Sequence, residues 1–249
     1  MLGLINISKT FNRGTPSEVK ALDGVDLSVG KNEFLMVLGS NGSGKSTLLN
    51  AVAGNIFPDS GTIHIDNTDV TKWKEHQRSK LIARVFQKPD MGTVPDLSIV
   101  ENFRLASLRT QTKKLRTGIT QAFRKRVTES LSLLDMGLES KPDQLVGTLS
   151  GGQRQALTLA MAVMDKASVL LMDEPSSALD PRSSETVMLV AEKIISSFHL
   201  AAICVTHNLR DAARYGTRVI FMQEGTIVND TGLIGKGSVS LGTLQEWFT

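Results

Sequence analysis

The chain of 249 residues carries a formal net charge of +3, with 41% hydrophobic and 21% charged residues. These values fit one large folded domain, with or without an inserted subdomain, and exclude a disordered or fibrous protein. One cysteine, Cys204 in the apolar run "AAICV", excludes a disulfide framework and a four-cysteine metal site, and we expect it in the core. No apolar run reaches the ~18 residues of a membrane span and no signal-peptide pattern is present. We therefore expect a cytosolic protein unless a partner tethers it to a membrane.

The first clear element is the short apolar strand "FLMVLG" at 34–39, which ends at a glycine and leads into the helical segment "GKSTLLNAVAG". Two further buried strands are predicted at 168–173 ("SVLLMD") and 201–206 ("AAICVT"). Between them, "PRSSETVMLVAEKIISSF" begins with proline, which is favoured in a first helical turn, and carries apolar residues on one face. Strand, helix and strand in this order predict a parallel sheet with right-handed crossovers.

The flanking segments have a different pattern. Residues 61–66 and 217–230 alternate like antiparallel strands, and the second segment contains the turn pair Glu224-Gly225. Residues 97–145 are helical in pattern: Ser98 and Glu101 form a capping box, and the run "ITQAFRKRVTESLSLLDMG" is expected to end at its glycine. We predict a single domain, 1–249, in which 1–88 and 148–249 form an α/β core with antiparallel β elements at both ends, and 89–147 form an inserted helical subdomain.

A basic stretch lies within the predicted helical subdomain. Residues 102–128 contain no acidic side chain and include Arg104, Arg109, Lys113, Lys114, Arg116, Arg124, Lys125 and Arg126. We interpret this stretch as a solvated helical face, with a face held near anionic lipid or nucleic acid as the alternative.

A phosphate-binding loop follows the first strand. "GSNGSGKS", residues 39–46, fits the pattern G-x-x-x-x-G-K-[ST] in the strand–loop–helix context that the pattern requires. Glycines let consecutive backbone N–H groups and the helix N-terminus point at phosphate oxygens. Lys45 is then expected to reach the β- and γ-phosphates, and the Ser46 hydroxyl to bind magnesium.

Two acidic residues end the second buried strand. Asp173 is placed to orient the waters of a nucleotide-bound magnesium ion, and Glu174 follows directly. A carboxylate at that position can orient, or accept a proton from, the water that attacks the γ-phosphate. Solvation of a loop is the structural alternative.

A second glycine-rich loop, "LSGGQ" at 149–153, precedes a strongly helical run. Ser150, Gly151 and Gly152 would present a hydroxyl, backbone N–H groups and the positive end of a helix, which is again phosphate-binding chemistry. One nucleotide does not need two such sites in one chain. The simplest arrangement is a two-fold dimer in which each copy's "LSGGQ" covers the ATP held by the other copy.

Together these motifs resemble, in the order in which they occur, those of the ATP-binding subunit of ATP-binding cassette (ABC) transporters, over essentially the whole chain. "LSGGQ" resembles the family's signature, "GSNGSGKS" its Walker A loop, "VLLMDE" its Walker B strand and "SALD" the D-loop that crosses the dimer seam at Asp180. "VTHN" resembles the segment with the family's switch histidine, which contacts the γ-phosphate, and places His207 in that role. "VFQKPD" resembles the Q-loop, which reports the nucleotide state to the permease, and places Gln87 there. The resemblance implies a P-loop NTPase core with a mainly parallel sheet.

The resemblance also implies which residues bind and which react. Phe11 stands where the family usually has a tyrosine that stacks on adenine, and it keeps the aromatic face, although a core role is the alternative. Lys45, Gln87, Glu174 and His207 are implied in catalysis, and Ser46, Gln87 and Asp173 in binding magnesium. The implied nucleotide-binding residues are Phe11, Val19, Ser40, Asn41, Gly42, Ser43, Gly44, Lys45, Ser46, Thr47, Ser150, Gly151, Gly152, Gln153 and Asp180.

ATP and Mg²⁺ are the implied ligands. The implied partners are a second copy of the chain, integral-membrane permease subunits and, through the permease, a solute-binding protein, at the cytoplasmic face of the inner membrane. The lone cassette and the segment "FQKPDMGTVPDLSIVEN" resemble a bacterial import group that takes up amino acids such as tryptophan or tyrosine. Met91, Val94 and Pro95 are apolar residues of this segment, and we expect them at the surface, where they could bind a permease helix. A buried loop is the alternative.

Two non-transport functions are alternatives within the family. One is a cytosolic assembly ATPase, for example in iron–sulfur cluster biogenesis. The other is a nucleic-acid or ribosome-associated ATPase, which typically has two fused cassettes or long inserted coiled coils. The sequence shows neither feature, so we expect no nucleic-acid partner.

Overall fold

The structure, a computed structural model, describes residues 1–110 and 118–248. Its strands are β1 (Leu2–Phe11), β2 (Val19–Val29), β3 (Phe34–Gly39), β4 (Ser60–Ile65), β5 (Thr68–Asp69), β6 (Ile82–Val85), β7 (Val169–Asp173), β8 (Ala201–Val205), β9 (Arg218–Gln223) and β10 (Thr226–Asp230). Its α-helices are α1 (Lys45–Ala53), α2 (Glu75–Arg78), α3 (Ile99–Ser107), α4 (Gln121–Ser132), α5 (Gly151–Val163), α6 (Pro181–Phe198), α7 (Leu209–Tyr215) and α8 (Leu241–Glu246). Three basic residues of the 102–128 stretch, Lys113, Lys114 and Arg116, lie outside the described residues.

The strands form two sheets. A six-stranded sheet has the order β10-β9-β3-β8-β7-β6, in which β9, β3, β8, β7 and β6 are parallel and β10 pairs antiparallel with β9. A four-stranded antiparallel sheet has the order β2-β1-β4-β5. The predicted α/β class, with a mainly parallel sheet and antiparallel elements at both ends of the chain, is confirmed.

Both faces of the parallel sheet are covered, which explains its continuous apolar strands. Along β3, Phe34, Met36 and Leu38 pack in one apolar cluster with α3, α4, α5 and α6. Leu35 and Val37 face the opposite cluster, which includes α1 and the antiparallel sheet. The carboxyl ends of β3, β7 and β8 therefore lie together at one edge of a rigid layer, and the loops that leave them carry the functional side chains.

Several local predictions agree with the structure. Ser98 and Glu101 form the capping box of α3, and α6 spans the predicted "PRSSETVMLVAEKIISSF". Glu224 (φ 47°) and Gly225 (φ 79°) form the turn between β9 and β10, where both residues adopt the left-handed conformation that a tight hairpin needs. Cys204 is fully buried, as expected.

The predicted end of the second helix of the insert is wrong. Helix α4 ends at Ser132 with Leu133 as its C-cap, well before Gly137. The chain turns at Asp135, which adopts a left-handed conformation (φ 53°). Gly137 is left-handed as well (φ 68°), and Leu134 and Leu138 on either side of this turn are both buried in the apolar cluster under the helices.

Within residues 1–110 and 118–248, no helix combines the length and the apolar character needed to cross a membrane.

Candidate active site

The phosphate loop connects β3 to α1 and depends on two glycines. A Cβ atom at Gly39 (φ 147°) would lie 2.3 Å from the Met222 carbonyl oxygen, and one at Gly44 (φ 102°) would lie 2.4 Å from the Ala21 carbonyl oxygen. Any other residue would collide with backbone at either position. The loop is thus held close to β9 and β2, and the Ser43 N–H closes a turn within it by donating to the Ser40 carbonyl oxygen at 3.2 Å.

Lys45 is the first residue of α1 and is 9% exposed. Its Nζ donates hydrogen bonds to the Gly39 and Ser40 carbonyl oxygens, both at 2.7 Å, and to Ser43 Oγ at 3.3 Å. Burial lowers the pKa of Lys45, and the charges of Glu174 and Asp173 partly oppose this effect. Within the described residues no carboxylate lies within ion-pair distance of Lys45, so the loop holds a buried cation that an anionic ligand would neutralise.

A cleft of about 400 Å³ extends from this loop, and we name it the phosphate-loop pocket. Phe11 and Val19 face each other across β1 and β2 and form one end of it. The full lining is Phe11, Val19, Ala21, Asn41, Gly42, Ser43, Gly44, Lys45, Ser46, Thr47, Glu174 and Val205. The cleft therefore has an apolar, aromatic end and a polar end of phosphate-binding type, as a nucleotide requires. Ser40 is absent from this lining and takes part through its carbonyl oxygen, which Lys45 binds.

Asp173 and Glu174 leave the end of β7 beside this pocket. Asp173 is half-buried, and burial raises the pKa of its carboxyl group against the opposing charge of Arg84. Glu174 adopts a left-handed backbone conformation (φ 47°), which costs of order 1 kcal/mol for a residue other than glycine. A hydrogen bond from its N–H to the Val205 carbonyl oxygen (2.9 Å) holds it there. In this conformation Glu174 is part of the pocket lining.

Two of the predicted catalytic side chains, Gln87 and His207, contact a third, Glu174. Gln87 Nε2 donates to Glu174 Oε2 at 3.3 Å and to Ser177 Oγ at 3.1 Å. His207 Nδ1 lies 3.2 Å from Glu174 Oε1. Lys45 lines the same pocket as Glu174. The structure therefore centres the cluster on Glu174, in contact with the residues that follow β6 and β8.

The predicted magnesium ligands are less closely grouped. Ser46 lines the pocket, Asp173 ends β7, and the Gln87 side chain is hydrogen-bonded to Glu174 and Ser177. Hydroxyl, carboxylate and amide oxygens are suitable for a hard cation that keeps several waters and is also bound by substrate phosphates. No group of three or more His, Cys, Asp or Glu side chains that could hold a metal occurs among the described residues.

The "LSGGQ" loop begins α5 and lies on a different surface. Ser150 caps the helix, accepting a hydrogen bond from the Gln153 N–H at 3.2 Å, while Gln153 Oε1 accepts from the Ser150 N–H at 3.1 Å. We name the adjacent cleft of about 450 Å³ the signature pocket; its lining is Met136, Ser150, Gly152, Gln153, Arg182, Ser183 and Thr186. The two pockets share no lining residue, so one chain does not bring "LSGGQ" to its own phosphate loop.

Asp180 lies at the start of α6, beside the signature loop. Its carboxylate accepts hydrogen bonds from the backbone N–H groups of Arg182 and Ser183, both at 3.1 Å. A Cβ atom at Gly151 would lie 3.2 Å from Leu179 Cδ2, so the segment before Asp180 packs directly on the signature loop.

Sequence reasoning missed several polar residues of this region. Ser177 receives a hydrogen bond from Gln87, and the charge of Arg84 on β6 opposes the raised pKa of Asp173 more strongly than that of Lys45 does. Gln155, fully buried on α5, donates from Nε2 to the Phe86 carbonyl oxygen at 3.0 Å and so connects the signature helix to the residue before Gln87. A polar residue on the apolar face of α5 was the available signal for Gln155; a lone serine or a strand arginine gives none.

Comparisons with known proteins agree with this geometry. A family model described as "ABC transporter" matches residues 22–177, more than half of the chain. The chain is 35% identical over 250 residues to a "Tyrosine transport ATP-binding protein" of Clostridioides difficile, covering 100% of this chain and 98% of that protein. It is 32% identical over 219 residues to the "Methionine import ATP-binding protein MetN" of Brucella abortus, covering 86% of this chain and 56% of that protein.

A solved structure of the cassette MJ0796, described as dimeric, post-hydrolysis and bound to ADP and Pi, superposes with a TM-score of 0.77 at 28% identity, covering 96% of this chain and 100% of that one. ABC cassettes dimerise and act with membrane permease components. The phosphate loop, the acidic end of β7 and the separate signature surface, together with these matches, show that the chain belongs to the ABC transporter family as an ATP-binding, ATP-hydrolysing cassette related to those of import systems.

Proposed function

We propose that the chain is the ATPase subunit of an importer and powers uptake of a small organic solute, such as an amino acid, through a separate permease. The observation that carries the proposal is the Glu174 carboxylate, which lines the phosphate-loop pocket and contacts both Gln87 and His207. Gln87 begins the segment that we propose contacts the permease. The Glu174 carboxylate, which would activate water, is therefore hydrogen-bonded to the side chain that would respond to the permease.

The chain's own groups divide the reaction among them. Backbone N–H groups of 41–46, the N-terminus of α1 and Lys45 bind the triphosphate, while Phe11 and Val19 hold the base. Glu174 orients the attacking water and accepts its proton, and His207 holds the Glu174 carboxylate from the other side. Magnesium, bound through Ser46, Asp173 and the waters around Gln87, would neutralise charge on the phosphate oxygens.

A second copy of the chain completes this site. In one chain the signature pocket has a hydroxyl, a helix N-terminus and no acid, and it lies apart from the phosphate-loop pocket. A head-to-tail dimer would place Ser150 and Gly151 of each copy on the phosphates held by the other, with Asp180 at the seam. ATP then favours the closed dimer because its γ-phosphate is bound from both sides, and hydrolysis removes that preference.

The permease is expected at the surface next to Gln87. Met91 is 66% exposed and Val94 is 41% exposed, and Pro95 is exposed as well, which supports docking over a buried loop. Beside them lies a groove of about 470 Å³ between β6, α3 and α5, whose lining is mainly apolar and includes the basic residues Arg84, Lys88 and Arg109. This placement would hold the chain at the cytoplasmic face of the inner membrane through its partner.

Uptake of an amino acid is supported by the relatives, one named for tyrosine transport and one for methionine import. A permease and its solute-binding protein choose the solute. The test is co-purification of the chain with any multispanning protein encoded by a neighbouring gene, followed by ATP-dependent uptake of labelled tyrosine, tryptophan or methionine into proteoliposomes. Uptake that disappears with Glu174→Gln supports the proposal. An active ATPase that binds no membrane protein, or binds soluble assembly factors instead, would reject it.

A further inference from the structure

We propose that Arg182 is an additional phosphate-contacting residue of the signature pocket, which reaches the triphosphate held by a second copy of the chain. This inference rests on the two-chain site proposed above and adds to it a cation that lies outside the "LSGGQ" loop. Four observations carry it: the placement of Arg182, the chemistry of the pocket, the engagement of neighbouring acids and the lack of a partner for the guanidinium.

Contact between the N-terminal turns of α5 and α6 places Arg182 in the same cleft as Ser150. Arg182 is the second residue of α6, and its backbone N–H is fixed by the Asp180 carboxylate at 3.1 Å. A Cβ atom at Gly152 would lie 2.8 Å from the Ser183 Cβ, so the first turns of α5 and α6 are in direct contact. Arg182 consequently lines the same cleft as Ser150, Gly152 and Gln153.

The lining of that cleft favours an anion. It contains no acidic residue. The Ser150 hydroxyl oxygen accepts the Gln153 N–H, which leaves its own O–H free to donate to a ligand. A guanidinium presents N–H donors in a planar fork that matches two oxygens of a phosphate. The cleft thus combines a cation, a hydroxyl and two helix N-terminal turns around one opening.

The acids that could neutralise Arg182 are engaged elsewhere. Glu185, one turn along α6, pairs with Arg214 at 2.6 Å. The Asp180 carboxylate is engaged by two backbone N–H groups. Among residues 1–110 and 118–248, the Arg182 guanidinium has no hydrogen-bond, ion-pair or ring partner, whereas Arg154, the arginine within the signature helix, is paired with Asp90. An unpaired cation in an acid-free cleft is expected to attract the charge that the second copy brings.

The test uses the Glu174→Gln background, in which we expect the ATP-bound dimer to accumulate. Arg182→Ala and Arg182→Lys are compared with Lys125→Ala, which removes the same charge from an exposed site on α4. The dimer dissociation constant at saturating ATP is measured by light scattering, and nucleotide affinity of the monomer with a fluorescent ATP analogue at low protein concentration. We expect Arg182→Ala to raise the dimer dissociation constant roughly three- to tenfold, less at high salt, with a smaller change for Arg182→Lys.

The outcomes separate the inference from the function on which it rests. Unchanged monomer affinity together with a weaker dimer for Arg182→Ala, and neither effect for Lys125→Ala, supports it. An Arg182→Ala dimer as stable as the Lys125→Ala dimer overturns it. So does an equal loss of monomer affinity, because Arg182 would then act within its own chain. Failure of the Glu174→Gln protein to dimerise with Arg182 intact would reject the two-chain site itself.

Discussion

The phosphate-loop pocket and the signature pocket are both formed by a glycine-rich loop that leads into a helix, and they differ in what surrounds that loop. The first has a buried cation, two carboxylates at the end of β7 and a histidine within contact of one of them. The second has a capping serine and an arginine, and no acid or histidine in its lining. One surface can bind a nucleotide and activate water, and the other can only bind charge. We propose that they are two halves of one site, and each of the first three predictions below changes one half alone.

The largest expected effect comes from the reactive half. Glu174→Gln keeps the hydrogen-bonding shape but cannot accept a proton from water, so ATP turnover should fall roughly 10²-fold or more, while ATP still binds and the dimer accumulates in light scattering. Glu129→Gln, an exposed acid on α4, serves as the control and should leave turnover unchanged. A Glu174→Gln protein that hydrolyses ATP at the parental rate would show that another group activates the water.

The binding half is tested by Ser150→Arg. A bulky side chain at the cap of α5 should prevent closure on the second copy and lower turnover by about tenfold or more, with nucleotide affinity of each phosphate-loop pocket unchanged. Ser132→Arg, at an exposed position of α4, is the matched control. Full activity of a monomeric Ser150→Arg protein would contradict the division into two halves.

The base end of the phosphate-loop pocket should contribute less. Phe11→Ala removes the aromatic face and is expected to raise the nucleotide dissociation constant roughly tenfold, whereas Phe11→Tyr keeps that face and should match the parent. Phe57→Ala, at another partly exposed phenylalanine, controls for loss of an aromatic side chain. Equal affinity for Phe11→Ala and the parent, in titrations with a fluorescent analogue, would place the base elsewhere.

The smallest expected effect is on stability without nucleotide. Burial raises the pKa of Asp173, so the ionised form is disfavoured in the folded chain and its cost appears as the pH rises above the unfolded-state pKa. Asp173→Asn should therefore raise Tm near neutral pH and change it little in acid.

The matched comparison is Asp59, whose pKa is lowered by the hydrogen bond from Lys9. That carboxylate therefore stabilises the fold above its unfolded-state pKa and loses this effect in acid. Asp59→Asn should lower Tm, and the same sign for both variants in calorimetry would refute the assignment.

The sequence predicted those parts of the fold that depend on local rules. The capping box at Ser98 and Glu101 and the proline that begins α6 act within one turn, and both helices begin where expected. The end of α4 was mispredicted because Gly137 was taken as the stop signal, whereas the chain leaves the helix after Leu133 and turns at Asp135, a left-handed residue that is not glycine.

In the candidate site, the residues that belong to a local motif were predictable, and the residues that packing brings together were not. Lys45 and Glu174 were identifiable because their motifs fix them relative to a strand end. Ser177, Gln155 and Arg182 join the site only through contacts between distant segments, and the conformation of Glu174, left-handed without glycine, contradicts local preference. Such residues become visible only when the packing is known.

The central claim is that the reactive half of one chain works with the binding half of another. Lys45→Ala should lose nucleotide binding, and Ser150→Arg should be unable to close on a second copy, so that each variant alone is nearly inactive. When the two are mixed, a mixed dimer contains one intact phosphate loop facing one intact signature loop, and ATPase activity should return. A mixture that stays as inactive as its components, although mixed dimers form, would contradict the account.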